Sequence, residues 1–230
     1  MKRILIIVIC LFIVSSVSAQ RRYGPRNNGP RNNYNRPQNT NNNNANFYRP
    51  TVGFTGGANF ANTISSYNSG ITNYNTNSVT GFNVGVIFDL PLFYPLSFAP
   101  EVLYSQKGHS AATSNGNFTQ RTNYIDIPLL AKIKAGPVFN FYIGPQFSYL
   151  LNTTNTYDNG FAITSQQYYE NNRNSRAIFG GVLGVGFDLS RNVELRGRYT
   201  IDINQTDYYG NTYVPNARNQ VWQVGLGFKF

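Results

Sequence analysis

The stretch YIDIPLLAKIK, Tyr124–Lys134, alternates in character along its whole length. Ile125, Ile127, Leu129, Ala131 and Ile133 form one set of alternate residues, and Tyr124, Asp126, Lys132 and Lys134 fall in the other. Successive side chains of a strand point to opposite faces. The stretch therefore reads as a strand with one wholly apolar face and three charges on the opposite face. Only 12% of the chain is charged, about half the share of an ordinary globular domain. What covers the apolar face decides the fold.

The same alternation recurs along the chain. Eight runs have strand composition or period-two patterning: 52–62, 80–90, 97–108, 122–134, 138–151, 176–189, 192–203 and 219–230. Most exceed the usual globular strand of about 5–6 residues and suit a tilted transmembrane strand of roughly 9–11. Their connections alternate in length. PLFYPL, AGP and SR are short, whereas 63–79, 109–121, 152–175 and 204–218 are long and rich in Asn, Ser, Thr and Tyr. Short turns at one end and long loops at the other are the layout of an outer-membrane barrel.

Parity assigns the faces. Phe82, Val84, Val86 and Phe88 share one face of the second run; Phe139, Phe141, Ile143, Phe147, Tyr149 and Leu151 share one face of the fifth. Trp222, Val224, Leu226, Phe228 and Phe230 do so in the last. The opposite faces carry Gly and Asn rather than the dense Lys and Glu of a solvated surface. The apolar face is thus expected to meet lipid and the polar face to fill the interior. Six acids (Asp89, Glu101, Asp126, Asp188, Glu194, Asp202) and seven bases (Lys107, Lys132, Lys134, Arg176, Arg196, Arg198, Lys229) are assigned inward. Eight strands enclose a space just wide enough for side chains to fill. A nearly balanced charge set in that space predicts internal ion pairs rather than an open pore. The expected network is Glu101, Lys107, Asp126, Lys132, Lys134, Glu194, Arg196, Arg198 and Asp202, with room made by inward glycines. Pro100, Pro128 and Pro145 each remove a ladder donor, so bulges or breaks are expected near some of them.

The N-terminal segment has the form of a signal peptide over residues 1–19. MKR is basic, ILIIVICLFIV is apolar but shorter than the roughly 20 residues of a membrane-spanning helix, and Val17-Ser18-Ala19 fits a small-residue cleavage site. Residues 20–49 contain GPRNN twice and lack apolar periodicity, which predicts a disordered Arg/Asn/Pro-rich periplasmic tail or linker. The first 49 residues hold eight bases and no acid, so the formal charge of +10 falls to +2 over residues 50–230. Arg interleaved with Tyr also occurs in nucleic-acid-binding segments, but an exported chain has no such partner.

SFAPEVLYSQKG (Ser97–Gly108), YIDIPLLAKIK (Tyr124–Lys134) and FNFYIGPQFSYLL (Phe139–Leu151), with GGANFAN (Gly56–Asn62) and the closing GLGFKF, resemble the PorT-type outer-membrane β-barrel family of Bacteroidota. The resemblance covers about residues 50–230 and leaves out the Arg/Asn tail. It implies an eight-stranded barrel in the outer membrane. The family's namesake is associated with type IX secretion, which makes a secretion-associated role one expectation. It supplies no catalytic residues.

The expected fold is all-β: an eight-stranded antiparallel up-and-down transmembrane β-barrel over residues 50–230, following the disordered tail. The expected function is non-enzymatic, as a structural, secretion-associated or surface-interaction protein; the alternative is a small-solute channel or transporter. No cofactor or metal is expected, since Cys10 and His109 are the sole cysteine and histidine. His109 and Ser110, read as loop residues at the rim, lack the orienting partners of a hydrolase. Expected partners are outer-membrane lipid and a protein bound through the Tyr/Asn-rich extracellular loops or the tail, where Tyr, Ser, Gly and Asn form an adaptable contact surface. Deleting residues 21–46 is expected to leave barrel insertion intact, as read by heat-modifiable gel migration of outer-membrane fractions.

Overall fold

A computed structural model describes residues 49–65, 76–113, 116–169, 176–203 and 217–230. The expected signal peptide, nearly all of the expected tail, and residues 66–75, 114–115, 170–175 and 204–216 lie outside the described residues. Nine strands are described: β1 Thr51–Ser65, β2 Thr76–Phe93, β3 Leu96–Thr113, β4 Gly116–Ala135, β5 Phe139–Asp158, β6 Ile163–Tyr168, β7 Ala177–Asp188, β8 Val193–Asp202 and β9 Ala217–Lys229.

Every pairing is antiparallel. β1 to β5 pair in succession, β5 pairs β7, β7 pairs β8 and β8 pairs β9. β9 then returns to β1 from Gly53↔Lys229 to Ser65↔Ala217. The result is a ring of eight strands without an edge. β6 stands outside that ring, paired to the distal part of β5 from Thr153↔Tyr168 to Asp158↔Ile163.

The alternation in β4 sorts as its sequence requires. Phe118, Gln120, Thr122, Tyr124, Asp126, Pro128, Leu130 and Lys132 are buried inside, while Ile125, Ile127, Leu129, Ala131 and Ile133 face outward. The outward face is apolar around the ring and carries aromatic rings at two heights. Near the short turns, Phe54 packs edge-on against Phe230 at 6.2 Å, and Phe139 against Phe187 at 4.3 Å. Toward the loops, Phe147 meets Phe179 and Tyr199 meets Trp222, each pair at 4.8 Å. Between the two heights the outward residues are mainly aliphatic, among them Val84, Val102, Leu183 and Val185. Phe139 and Tyr149 are ten residues apart, which on a tilted strand is roughly 25 Å, the height of a barrel's apolar band between its aromatic girdles. So large an unbroken apolar exterior has no place in water.

Several elements run further than the expected strands. Residues 109–121, read as a loop, are instead the ends of β3 and β4, paired without interruption to Thr113↔Gly116. Residues 152–175, also read as a loop, contain the end of β5 and the whole of β6. The reason is the same in both places. Above the hydrocarbon the outward face no longer has to be apolar, so the ladder continues through Thr, Asn, Ser and Gln while its hydrophobic signal stops. At the other end, β2 runs to Phe93 and the turn is confined to Tyr94 and Pro95.

At Pro100, Pro128 and Pro145 the ladder breaks locally but does not bulge. Pairing of β3 with β4 skips from Pro100↔Leu129 to Leu103↔Asp126, and pairing of β4 with β5 skips from Pro128↔Gln146 to Ala131↔Ile143, with register kept in both cases. Register shifts occur between Ser78 and Asn83, between Pro91 and Phe93, and between Asn123 and Tyr124. In the last, Tyr124 pairs Leu150 and Asn123 pairs Asn152, so Leu151 is the extra residue rather than a regular outward one. Beyond it the parity of β5 inverts, and Thr153 and Asn155 turn inward. The bulge thus marks the level at which β5 leaves the apolar band.

Leu129→Arg, near the middle of that band, is expected to cost about 2–4 kcal/mol of folding free energy in bilayers, and Thr119→Arg, above it, close to nothing. Urea unfolding in lipid vesicles, followed by the fluorescence of the single tryptophan, Trp222, checks both.

Candidate functional site in the charged lumen

The inward face of the ring gathers its charges chiefly at the short-turn end. Glu101, on β3, lies between two β8 guanidinium groups. Its Oε1 accepts from Arg196 Nη2 and its Oε2 from Arg198 Nη1, the latter at 2.5 Å. All three side chains are at least 95% buried. β3 and β8 are not neighbours in the ring, so this clamp ties opposite walls across the lumen.

A second carboxylate extends the cluster. Glu194 accepts from the Tyr142 hydroxyl, from Asn140 Nδ2 at 3.0 Å and from Lys229 Nζ at 2.9 Å. Arg196 Nε stands 4.0 Å from Glu194 Oε2, and its guanidinium lies 4.8 Å above the Tyr142 ring. At the mouth, Lys132 Nζ reaches Asp89 at 2.6 Å, while Asp188 takes Lys229 at 3.1 Å and Lys134 at 3.7 Å. The space lined by Asp89, Glu101, Lys132, Glu194, Arg196 and Lys229 leaves room for about one water molecule.

Alternation explains why these groups meet. On β8, Glu194, Arg196 and Arg198 project inward at every second position, while Leu195 and Ile201 lie on the lipid side. Glycines on β7 clear the room they occupy. A Cβ on Gly186 would stand 2.3 Å from Glu194 Oε1 and 2.9 Å from the Tyr142 ring, and one on Gly184 would stand 2.7 Å from Arg198 Cγ.

The remaining charges lie nearer the loops. Lys107 Nζ is 3.1 Å from Asp126, both side chains fully buried, and sits 4.7 Å above the Tyr124 ring. Asp202 is held apart from the clamp, accepting from Asn219 Nδ2 at 2.9 Å. Polar layers fill this half. Asn59 donates to Ser105 at 3.0 Å and accepts from Gln223 at 3.1 Å, and His109 Nδ1 lies 3.0 Å from Thr63 Oγ1. Apolar clusters pack beside them: Ala99, Leu130, Tyr142 and Val182 form one, and Tyr124, Leu150 and Ile178 the other.

Of the nine residues expected in one network, Glu101, Lys132, Lys134, Glu194, Arg196 and Arg198 share the short-turn half, Lys107 and Asp126 form their own pair, and Asp202 stands in a hydrogen-bonded layer. Arg176 is placed differently from its expectation. Its guanidinium lies 5.9 Å from the Tyr149 ring and donates to the Tyr149 hydroxyl on the outer face, at 3.2 Å. The lumen is left with six acids and six bases. Tyr142 and the Asn59 layer were not foreseen, although parity with Asn140 and Gln146 would have placed Tyr142 inside. His109 is a buried strand residue rather than a loop residue. It faces the lumen, while Ser110, the next residue along β3, takes the opposite face. The two therefore cannot act as a base and its nucleophile. Among the described residues no cluster of His, Cys, Asp or Glu has the make-up of a metal site.

Residues 38–208 match the family described as Outer membrane protein beta-barrel domain, and the chain belongs to that family. The solved structures similar to it include Neisserial surface protein A, at 19% identity and a TM-score of 0.46, the match covering 78% of this chain and 97% of the other. Ail, the attachment invasion locus protein of Yersinia pestis, is similar at 10% identity and a TM-score of 0.43, over 79% and 99% of the two chains. OprG of Pseudomonas aeruginosa is similar at 13% identity and a TM-score of 0.37, over 79% and 95%. No curated protein sequence matches the chain. The protein is a bacterial outer-membrane β-barrel. Its short turns accordingly face the periplasm and its long loops the exterior.

Removing one partner of the clamp leaves buried charge without compensation. Glu101→Leu is expected to destabilise the barrel by about 3–5 kcal/mol, whereas Glu101→Leu combined with Arg196→Met and Arg198→Met is expected to be close to neutral. Urea titration of the refolded variants in detergent, followed by Trp222 emission, separates the two outcomes.

Proposed function

We propose that this outer-membrane barrel works without catalysis and without conduction, as a protein that presents an interaction surface at the outer membrane. The observation that supports it most is the lumen. Arg196 and Arg198 reach across to Glu101 from the opposite wall, and Tyr142 and Lys229 close on Glu194 beside them. A solute crossing this layer would have to part buried ion pairs whose loss is costly. What remains available for function is the outside: the apolar band for lipid, and the polar strand ends and loops that rise beyond it.

Secretion-associated and structural roles fall within the same reading. The finer placement in the PorT-type family of Bacteroidota, and with it the link to type IX secretion, rests on SFAPEVLYSQKG and YIDIPLLAKIK, which form parts of β3 and β4. A protein partner would be engaged by the Tyr/Asn-rich extracellular segments or by the basic tail, and membrane lipid by the outward aromatic and aliphatic residues.

Planar-bilayer recordings on the refolded full-length chain test this against the small-solute channel. The wild-type barrel is expected to be electrically silent. A steady, large open conductance would overturn the proposal in favour of a channel.

A further inference from the structure

The extracellular wall of the barrel carries a strand edge that is unpaired among the described residues. β6 pairs β5 along one side, and among the described residues no strand pairs its other side. All six of its residues are exposed. Native sheet edges are commonly blunted by lysine, proline, a bulge or a covering segment. Ile163-Thr164-Ser165-Gln166-Gln167-Tyr168 has no charge and no proline, and its register on β5 runs without a shift. The connection from β5 holds it in place. Asp158 Oδ1 accepts from Gly160 N at 2.9 Å, and Asn159 Oδ1 accepts from Phe161 N at 3.0 Å and from Ala162 N at 2.7 Å.

The residues along this edge complement themselves. Two antiparallel copies related by a two-fold axis keep their faces aligned, so residues of the same parity must oppose one another. With Gln166 on the axis, Gln166 opposes Gln166 of the second copy, Ser165 opposes Gln167, Thr164 opposes Tyr168 and Ile163 opposes Tyr169. Amides and hydroxyls meet in the middle, and at both ends an aromatic ring covers a methyl-bearing side chain, a favoured cross-strand pairing. Ile163 and Tyr169 are 71% and 65% exposed and available for that contact. The symmetry also fixes where the second copy sits. Such a two-fold axis is perpendicular to the sheet, and the wall of a barrel has its normal in the membrane plane. The two barrels must then point toward each other from facing membranes rather than stand side by side.

We propose that the free edge of β6 pairs antiparallel with β6 of a second copy on a facing membrane, in the register that sets Gln166 against itself. This rests on the surface-interaction reading above and names its partner. A single pairing of about seven residues is weak, and many copies on two apposed surfaces multiply it.

The experiment uses the full-length chain in phosphatidylcholine vesicles, in two populations with different fluorophores, read by two-colour cross-correlation. Wild-type vesicles are expected to co-cluster. Gln166→Lys in both populations sets like charges directly opposite and should reduce co-clustering by about tenfold or more. Mixing Gln166→Lys vesicles with Gln166→Glu vesicles should restore it, which also shows that both variants are folded. Absence of wild-type clustering, unchanged clustering of the Lys variant, failure of the mixed pair to recover, or equal clustering with protein-free vesicles would each overturn the pairing. Silent barrels that do not cluster remove the pairing and leave the surface-interaction reading standing; conducting barrels remove that reading itself.

Discussion

Hydrocarbon offers nothing to a backbone N–H or C=O, so every such group within the membrane must find its partner in the protein. That constraint governs the rest of this structure. It requires β9 to return to β1 over Gly53↔Lys229 to Ser65↔Ala217. It also explains why Pro128 and Pro145 interrupt pairings but do not let the register slip. A slip of one residue would turn Asp126 and Lys132 toward lipid and Ile127 and Ile133 inward. The cost of that exchange far exceeds the loss of a few ladder bonds.

Closure of only eight strands creates a second constraint, because the interior must be filled by side chains. The filling is layered. Ion pairs gather toward the periplasmic end, the Lys107–Asp126 pair and an Asn/Gln/Ser layer fill the half nearer the loops, and apolar side chains such as Leu130 and Val182 pack among them. Balance between six acids and six bases lets nearly every buried charge be compensated locally. Space is the limiting resource, and β7 supplies it by placing Gly184 and Gly186 where Arg198, Glu194 and Tyr142 pass. A lumen built this way ties opposite walls of the barrel together.

Beyond the apolar band both constraints relax. The ladder of β3, β4 and β5 continues as a polar wall, and β6 joins it at the position that β7 occupies lower down. Water can satisfy an unpaired edge there, so the ring does not have to close at that level. The same backbone groups that would be intolerable in lipid become available for contact outside it. The bulge at Leu151 lies at this boundary and reverses which residues of β5 look inward.

The sequence alone determined the strands inside the band, their number and their faces. Lipid on one side imposes a period of two that can be read in Ile125–Ile133 or in Leu195–Ile201 without reference to any other part of the chain. Inward charge was legible for the same reason, as the exception within each alternating run. Where lipid ends, the pattern lost its hydrophobic half: residues 109–121 and 152–168 read as loops, His109 was placed at the rim, and β6 went unseen. Only the tertiary structure decided which charges meet. Glu101 and its two arginines are separated by 95 and 97 residues, and their meeting depends on the stagger between strands on opposite walls. Periodicity within a strand carries no information about that stagger. It is set by ring closure, by bulges that the alternation does not announce, and by the glycines that give each long side chain somewhere to go.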